Sequence, residues 1–414
     1  MKRRSFLKSL AAAPAACLAL PRLAEAALPK TKITRVRIYK PSNLNQLFNQ
    51  SNMIVTVETE AGITGIGEGG SKDTLEQCAG SLIGKDPFKI EAIWQEEYMA
   101  WFYPPGREKQ DAMGALDLAL WDIKGKALGL PIHQILGGAV RNYCETYNTG
   151  NVRPPAATGG GQPTLKDRVK ATLDAGYKVY RIGAADTGAG AWDVRARLLQ
   201  LAKDAKEIRE ALGSTGDWSV DFHQRFEYAD ALRGCRLIEE YAPYLVEDPV
   251  RDEHFLEDIP KLRQMTSVPI AAGEEWGWRW DFNKLVENHD IDFNRCTLPN
   301  VGGITEYLKI LALCETHAVG MVPHFTGPVA TAALVHSLGA LSGPVLMEYN
   351  YGGRTIPYMP VGLDFRNGKL YPNERPGLGV EIDMTQLKPL AEFTQPITNR
   401  AQTYFRPDGS ITNW

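Results

Sequence analysis

Between Cys144 and Tyr349 one pattern recurs eight times: a short β-rich run, then a stretch with helical periodicity. The runs are 144–149, 178–183, 218–222, 244–247, 268–272, 292–298, 319–324 and 345–349. Eight strands alternating with helices point to an α/β fold of the (β/α) barrel kind rather than a doubly wound sheet. Polar residues stand at the C-terminal ends of these runs: Arg181, Asp221, Glu247, Glu274, His324 and Glu348. Asp221, Glu247 and Glu274 follow one another at 26 and 27 residues, about one strand–helix–strand repeat. In a barrel that spacing brings every strand end to one mouth, where the chemistry of such folds takes place.

The flanks read differently. Residues 33–40 and 53–59 alternate and are rich in Val, Ile and Thr, so they predict strands, with a turn at Ala61-Gly62. From 87 to about 137 apolar residues recur at helical spacing, ending at Gly137-Gly138. The expected organisation is an α+β capping domain over 27–140, a barrel over 141–372, and a tail, 373–414, that packs back on the cap. A chain of 414 residues is long enough for both units.

Residues 1–26 read as an export leader. Lys2, Arg3 and Arg4 precede an apolar stretch from Leu7 to Leu20, and Ala24-Glu25-Ala26 suits a peptidase. The string Arg3-Arg4-Ser5-Phe6-Leu7-Lys8 resembles a twin-arginine signal, which exports folded proteins and implies a periplasmic or exported location. No other long apolar stretch is present and the mean hydropathy is −0.26, so no membrane partner is expected after cleavage. The net charge of −3 supplies no basic field for nucleic acid. Five scattered cysteines past the leader read as buried free thiols, not a disulfide framework or a zinc site.

Three carboxylates on adjacent strand ends repel one another unless something positive lies between them. A hard divalent ion takes oxygen ligands, and Mg²⁺ keeps positions open for a substrate, so Asp221, Glu247 and Glu274 are expected to hold one Mg²⁺. His223 lies two residues after Asp221, and in an extended segment both side chains would project to one side. His324 closes another run. Of the other histidines, 133, 254, 289 and 317 read as surface or helical and His336 as core. An acid and a base on opposite sides of a metal-bound substrate is the chemistry this set suggests.

In this order the residues resemble the enolase superfamily, in its mandelate racemase and muconate lactonising branch. The likeness runs through VTVETEAGITGIGEG (55–69), ALDLALWDIKGKALGLPIHQILGG (115–138), VGGITEYLKI (301–310) and the closing text at 379–385. The resemblance implies a modified (β/α)7β TIM-like barrel under an α+β cap, Mg²⁺ on the three acids, and an oligomer. The succession DFH, PHF, MEY looks most like acid-sugar dehydratases of the D-galactonate type. By that analogy His324 is the base at C2, His223 the acid for the departing C3 hydroxyl, and Glu348 a partner of the substrate carboxylate, provided it is protonated or paired.

The chain departs from this pattern in three places. Arg181, in Tyr180-Arg181-Ile182-Gly183, replaces a lysine of Lys-x-Lys; it stays charged, so it either steadies an anion or forms a salt bridge within the barrel. Thr297 stands where an Asp would orient His324. Glu275 adds negative charge beside Glu274. Substrate hydroxyls are expected to meet Asn43, Asn45, Gln46, Trp101, Tyr103 and Arg107 from the cap. The leading expectation is Mg²⁺-dependent dehydration of an aldonic or uronic-type acid sugar to a 2-keto-3-deoxy acid. The alternatives are epimerisation or cycloisomerisation through the same enediolate, or an exported acid-sugar binding protein without turnover.

Overall fold

A computed structural model describes residues 28–41, 53–99, 101, 103–150, 152, 154, 162–184, 191–251, 256–397 and 403–412. The leader at 1–26 and Asn43, Asn45 and Gln46 lie outside the described residues.

The cap begins with an antiparallel meander, β1 (Ile33–Lys40), β2 (Ile54–Thr59) and β3 (Thr64–Glu68). Alternation in β1 sends Val36 and Ile38 into the core, while Arg35 and Arg37 meet Glu58 outside. Helices α1 (Lys72–Ala79), α2 (Ile90–Met99), α3 (Arg107–Leu128) and α4 (Ile132–Ile135) follow. Helix α3 lies directly on β3 because Gly65 and Gly67 carry no side chain. A Cβ at Gly67 would stand 1.8 Å from the Ala115 carbonyl oxygen.

The barrel then runs β4 (Cys144–Tyr147), α5 (Leu165–Asp174), β5 (Val179–Gly183), α6 (Val194–Leu212) and β6 (Asp217–Asp221). It continues α7 (Tyr228–Ile238), β7 (Leu245–Glu247), α8 (Asp258–Arg263), β8 (Ile270–Ala272) and α9 (Arg279–Glu287). It closes with β9 (Phe293–Asn294), α10 (Ile304–Thr316), β10 (Gly320–Met321), α11 (Pro328–Gly339) and β11 (Leu346–Glu348). Each of the eight expected runs overlaps one of these strands, β6 beginning one residue before its run, and among the described residues seven helices separate them in a (β/α)7β order. β5 to β10 form one parallel sheet, a parallel bridge from Met321 to Val345 leads to β11, and β11 pairs in parallel with β4.

Alternation within the strands sorts the barrel interior into two layers. Val179, Leu245, Ala271, Val322 and Leu346 form an apolar lower layer together with Tyr147. Two residues further on, Arg181, Glu247 and Glu348 face the same interior at the mouth. Beyond the barrel, β12 (Asp364–Arg366) and β13 (Lys369–Tyr371) extend the edge at β4. The tail crosses to the cap, where β14 (Lys388–Phe393) pairs antiparallel with β1. A last hairpin joins β15 (Tyr404–Phe405) to β16 (Ile411–Thr412).

Candidate active site

The barrel mouth opens a cleft of about 360 Å³, lined by Arg181, Asp221, His223, Glu274, His324 and Glu348 from the expected set. That volume suits a small polar ligand. Asn148, Thr149, Arg295, Asn350 and Arg354 complete the walls. Glu247 lies beneath, with no exposed surface.

Two arginines organise the acids. Arg181 is ion-paired to Asp221 and lies 3.6 Å from Glu247, which makes it a salt bridge within the barrel. Arg295 reaches further. Its Nε donates to Asp248 at 3.0 Å, its Nη2 to Glu274 at 2.8 Å and to Glu348 at 3.3 Å, and its Nη1 to the Tyr147 hydroxyl at 2.7 Å. That hydroxyl donates in turn to Glu247 at 2.7 Å.

These contacts set the charge of each acid. Burial alone would raise Glu348 and Glu274, but His324 and Arg295 beside both hold them below their ordinary values. Glu348 is therefore paired and ionised, and Thr149 also hydrogen-bonds to it. Burial pushes Asp221 up to about 7 against the pull of Arg181, with Glu247 and Glu274 adding repulsion.

The set fits a divalent cation by donor type and by charge. Four buried acids, Asp221, Glu247, Asp248 and Glu348, and the half-buried Glu274 face two buried guanidiniums, and Glu247 Oε2 accepts no hydrogen bond among the described residues. In placement the acids differ from expectation. Among the described residues no three His, Cys, Asp or Glu are grouped to hold an ion, because the guanidiniums stand between them.

Both histidines reach the cleft, but not as expected. β6 ends at Asp221, and His223 and Gln224 turn into the left-handed region at φ of 51° and 54°. A left-handed turn, not an extended strand, therefore presents His223, and such strain is characteristic of functional positions. His324 has Glu274 Oε2 3.6 Å from its Nε2, so the carboxylate beside it comes from residue 274 and not from position 297. Thr297 donates instead to the Glu274 carbonyl at 3.3 Å.

The cap residues expected at the substrate lie elsewhere. Trp101 packs on the cap core under Lys109, Tyr103 is 76% exposed, and Arg107 approaches the Glu275 carbonyl at 3.5 Å. None of the three lines the cleft. His133 is helical, yet fully buried against His336. The five cysteines past the leader are buried free thiols. Arg295 was missed although its signal was present: a charge inside the β-rich run 292–298 calls for a buried partner.

Comparison with known proteins agrees with this architecture. The mandelate racemase / muconate lactonizing enzyme N-terminal domain matches residues 32–137, and the enolase C-terminal domain-like family matches 164–386. The chain belongs to the enolase superfamily. A D-galactonate dehydratase of Xanthomonas oryzae pv. oryzae is 36% identical over 379 residues, covering 87% of this chain and 96% of the relative. One from Ralstonia pickettii is 33% identical over 404 residues, covering 92% and 100%. An enolase of Pantoea ananatis with bound D-gluconate and Mg superposes with a TM-score of 0.75 at 25% identity, covering 86% and 94%. An enolase of Agrobacterium radiobacter with bound Na and L-malate gives 0.75 at 27%, covering 92% and 99%. Within this superfamily the chain is an enzyme of the hydro-lyase kind.

Proposed function

We propose that this enzyme dehydrates a sugar acid to a 2-keto-3-deoxy acid, taking a proton from C2 and expelling the C3 hydroxyl. The observation that carries the reading is the meeting of His223 and His324 in one cleft above the buried acids. The dehydratase relatives support it.

His324 accepts the C2 proton, and Glu274 beside it stabilises the imidazolium that results. His223 gives a proton to the C3 hydroxyl, which leaves as water, and the enol then rearranges to the ketone. Each correctly poised acid or base contributes about 10²–10⁴ in rate. Asp221, Glu247 and Glu274 would hold Mg²⁺, which supplies Lewis-acid stabilisation of charge developing on the substrate carboxylate. Glu348, ionised and fixed by Arg295 and Thr149, accepts from a substrate hydroxyl beside that carboxylate.

The test is a panel of acid sugars with the protein and Mg²⁺ in D₂O, read by proton NMR. The expected product shows a new C3 position bearing one proton and one deuterium, and no C2 proton. Deuterium at C2 without loss of water would replace dehydration by epimerisation. We also propose that residues 1–26 export the folded enzyme; fusion of that segment to a reporter, with Arg3-Arg4 changed to Lys-Lys, checks it.

A further inference from the structure

The cleft holds three arginines, and one differs from the other two. Arg181 and Arg295 are buried and engaged by carboxylates. Arg354 is exposed, lines the same cleft, and has no carboxylate in ion-pair range among the described residues. Its guanidinium is nevertheless held in place. Nε donates to the Tyr351 carbonyl at 3.0 Å and Nη2 to the Asn350 carbonyl at 2.6 Å, while Nη1 bonds to no described residue.

Burial orders the cleft by depth. Glu348 at the end of β11 is buried, Asn350 two residues on is half-buried, and Arg354 is exposed. Asn148 and Thr149, after β4, are half-buried at the level of Asn350, whose Oδ1 accepts from the Thr149 amide at 3.0 Å. From floor to rim the wall therefore passes from acids and histidines, through neutral amides and a hydroxyl, to one cation. Neutral amides suit substrate hydroxyls, and a fixed guanidinium fork suits an anion. The floor carries more acids than arginines, so it repels a doubly charged ligand, and a dedicated cation at the rim offsets that repulsion.

We propose that Arg354 selects substrates with a second anionic group at the end remote from the reacting carboxylate, a terminal carboxylate as in an aldaric acid or a terminal phosphate. This rests on the acid-sugar reading above and narrows its substrate class to terminal dianions.

The test measures binding by calorimetry of galactarate, D-galactonate and 6-phospho-D-galactonate with Mg²⁺. The His324→Asn chain is used so that ligands stay intact, and kcat/KM is measured on the active chain. One of the two terminal anions should bind about 10- to 100-fold more tightly than D-galactonate, the range for a hydrogen bond to a charged group. Which of the two does so identifies the terminal group. Arg354→Gln should abolish that preference, and Arg354→Lys should keep part of it. Equal binding of all three, a preference that survives Arg354→Gln, or no binding of any overturns the inference. A preference that stands while no ligand loses water overturns the dehydratase reading instead.

Discussion

Two sets of buried acids in this molecule are held in opposite ways. At the barrel mouth, Asp221, Glu247, Glu274 and Glu348 are met by guanidinium groups. In the seam between cap and barrel, Glu68, Asp111 and Asp117 are met largely by backbone amides. Glu68 accepts from the Val329 and Ala330 amides at 2.7 and 2.9 Å, at the start of α11. Asp117 accepts from the Thr305 amide at 3.0 Å, at the start of α10, and from the Thr305 hydroxyl. Helix N-termini offer unpaired donors and a partial positive charge, enough to seat a carboxyl group but not to keep it ionised. Burial accordingly raises Glu68 to about 8 and Asp111 and Asp117 to about 7. Glu274 and Glu348, beside full positive charges, move the other way, whereas Asp221, buried and repelled by Glu247 and Glu274, is raised to about 7 in spite of Arg181. Acids that join the two domains can be neutral, whereas acids that serve chemistry need a cation.

If that division is right, mouth and seam variants separate activity from stability. His324→Asn should lower kcat by about 10²–10⁴ with the unfolding midpoint unchanged. Activity near the native level would remove His324 as the base. Next in size, Arg295→Met leaves buried carboxylates uncompensated and should cost about 3–5 kcal/mol in denaturant unfolding. Asp117→Ala orphans the donors of Thr305 and should cost about 1–3 kcal/mol, with kcat per folded molecule retained. A matching loss of kcat would break the comparison.

A further effect is a slope with pH. Acids whose folded pKa is raised favour folding most below their unfolded values and lose that contribution as pH rises toward 7 and 8. Stability should therefore fall between about pH 5 and 8, by at most about 1.4 kcal/mol per pH unit for each group. Glu68→Gln and Asp117→Asn should flatten the decline. Glu274 and Glu348, held low, act only at more acid pH. A profile that rises from pH 5 to 8 would contradict the seam assignment.

The barrel strands were legible because alternation and helical spacing are local properties. Seven of the eight strands fall within the expected runs, β6 starts one residue early, and β1 occupies 33–40 as read. Asp221, Glu274, His223, His324 and Glu348 were legible as mouth residues because strand ends at one repeat spacing share one end of a barrel. The left-handed turn at His223 was not, since nothing in Asp-Phe-His-Gln requires a positive φ. Arg354 lies beyond the last run, and only burial along β11 and its following loop shows its depth. Trp101 and Arg107 looked suited to a sugar, but aromatic and cationic side chains serve packing as readily, and here Trp101 lies under Lys109 and Arg107 meets the Glu275 carbonyl.

Sequence alone determined the alternation of strand and helix, the acids at strand ends and, through the resemblance of its motifs, the family. Those features repeat within tens of residues and need no knowledge of what meets across the barrel. The tertiary structure decided which charge answers which acid. Arg295 bridges to Tyr147 across 148 positions, and Glu68 caps a helix 261 positions away. Only closure of the barrel and docking of the cap bring such groups within hydrogen-bond range, and there the cost of burying a charge selects its partner.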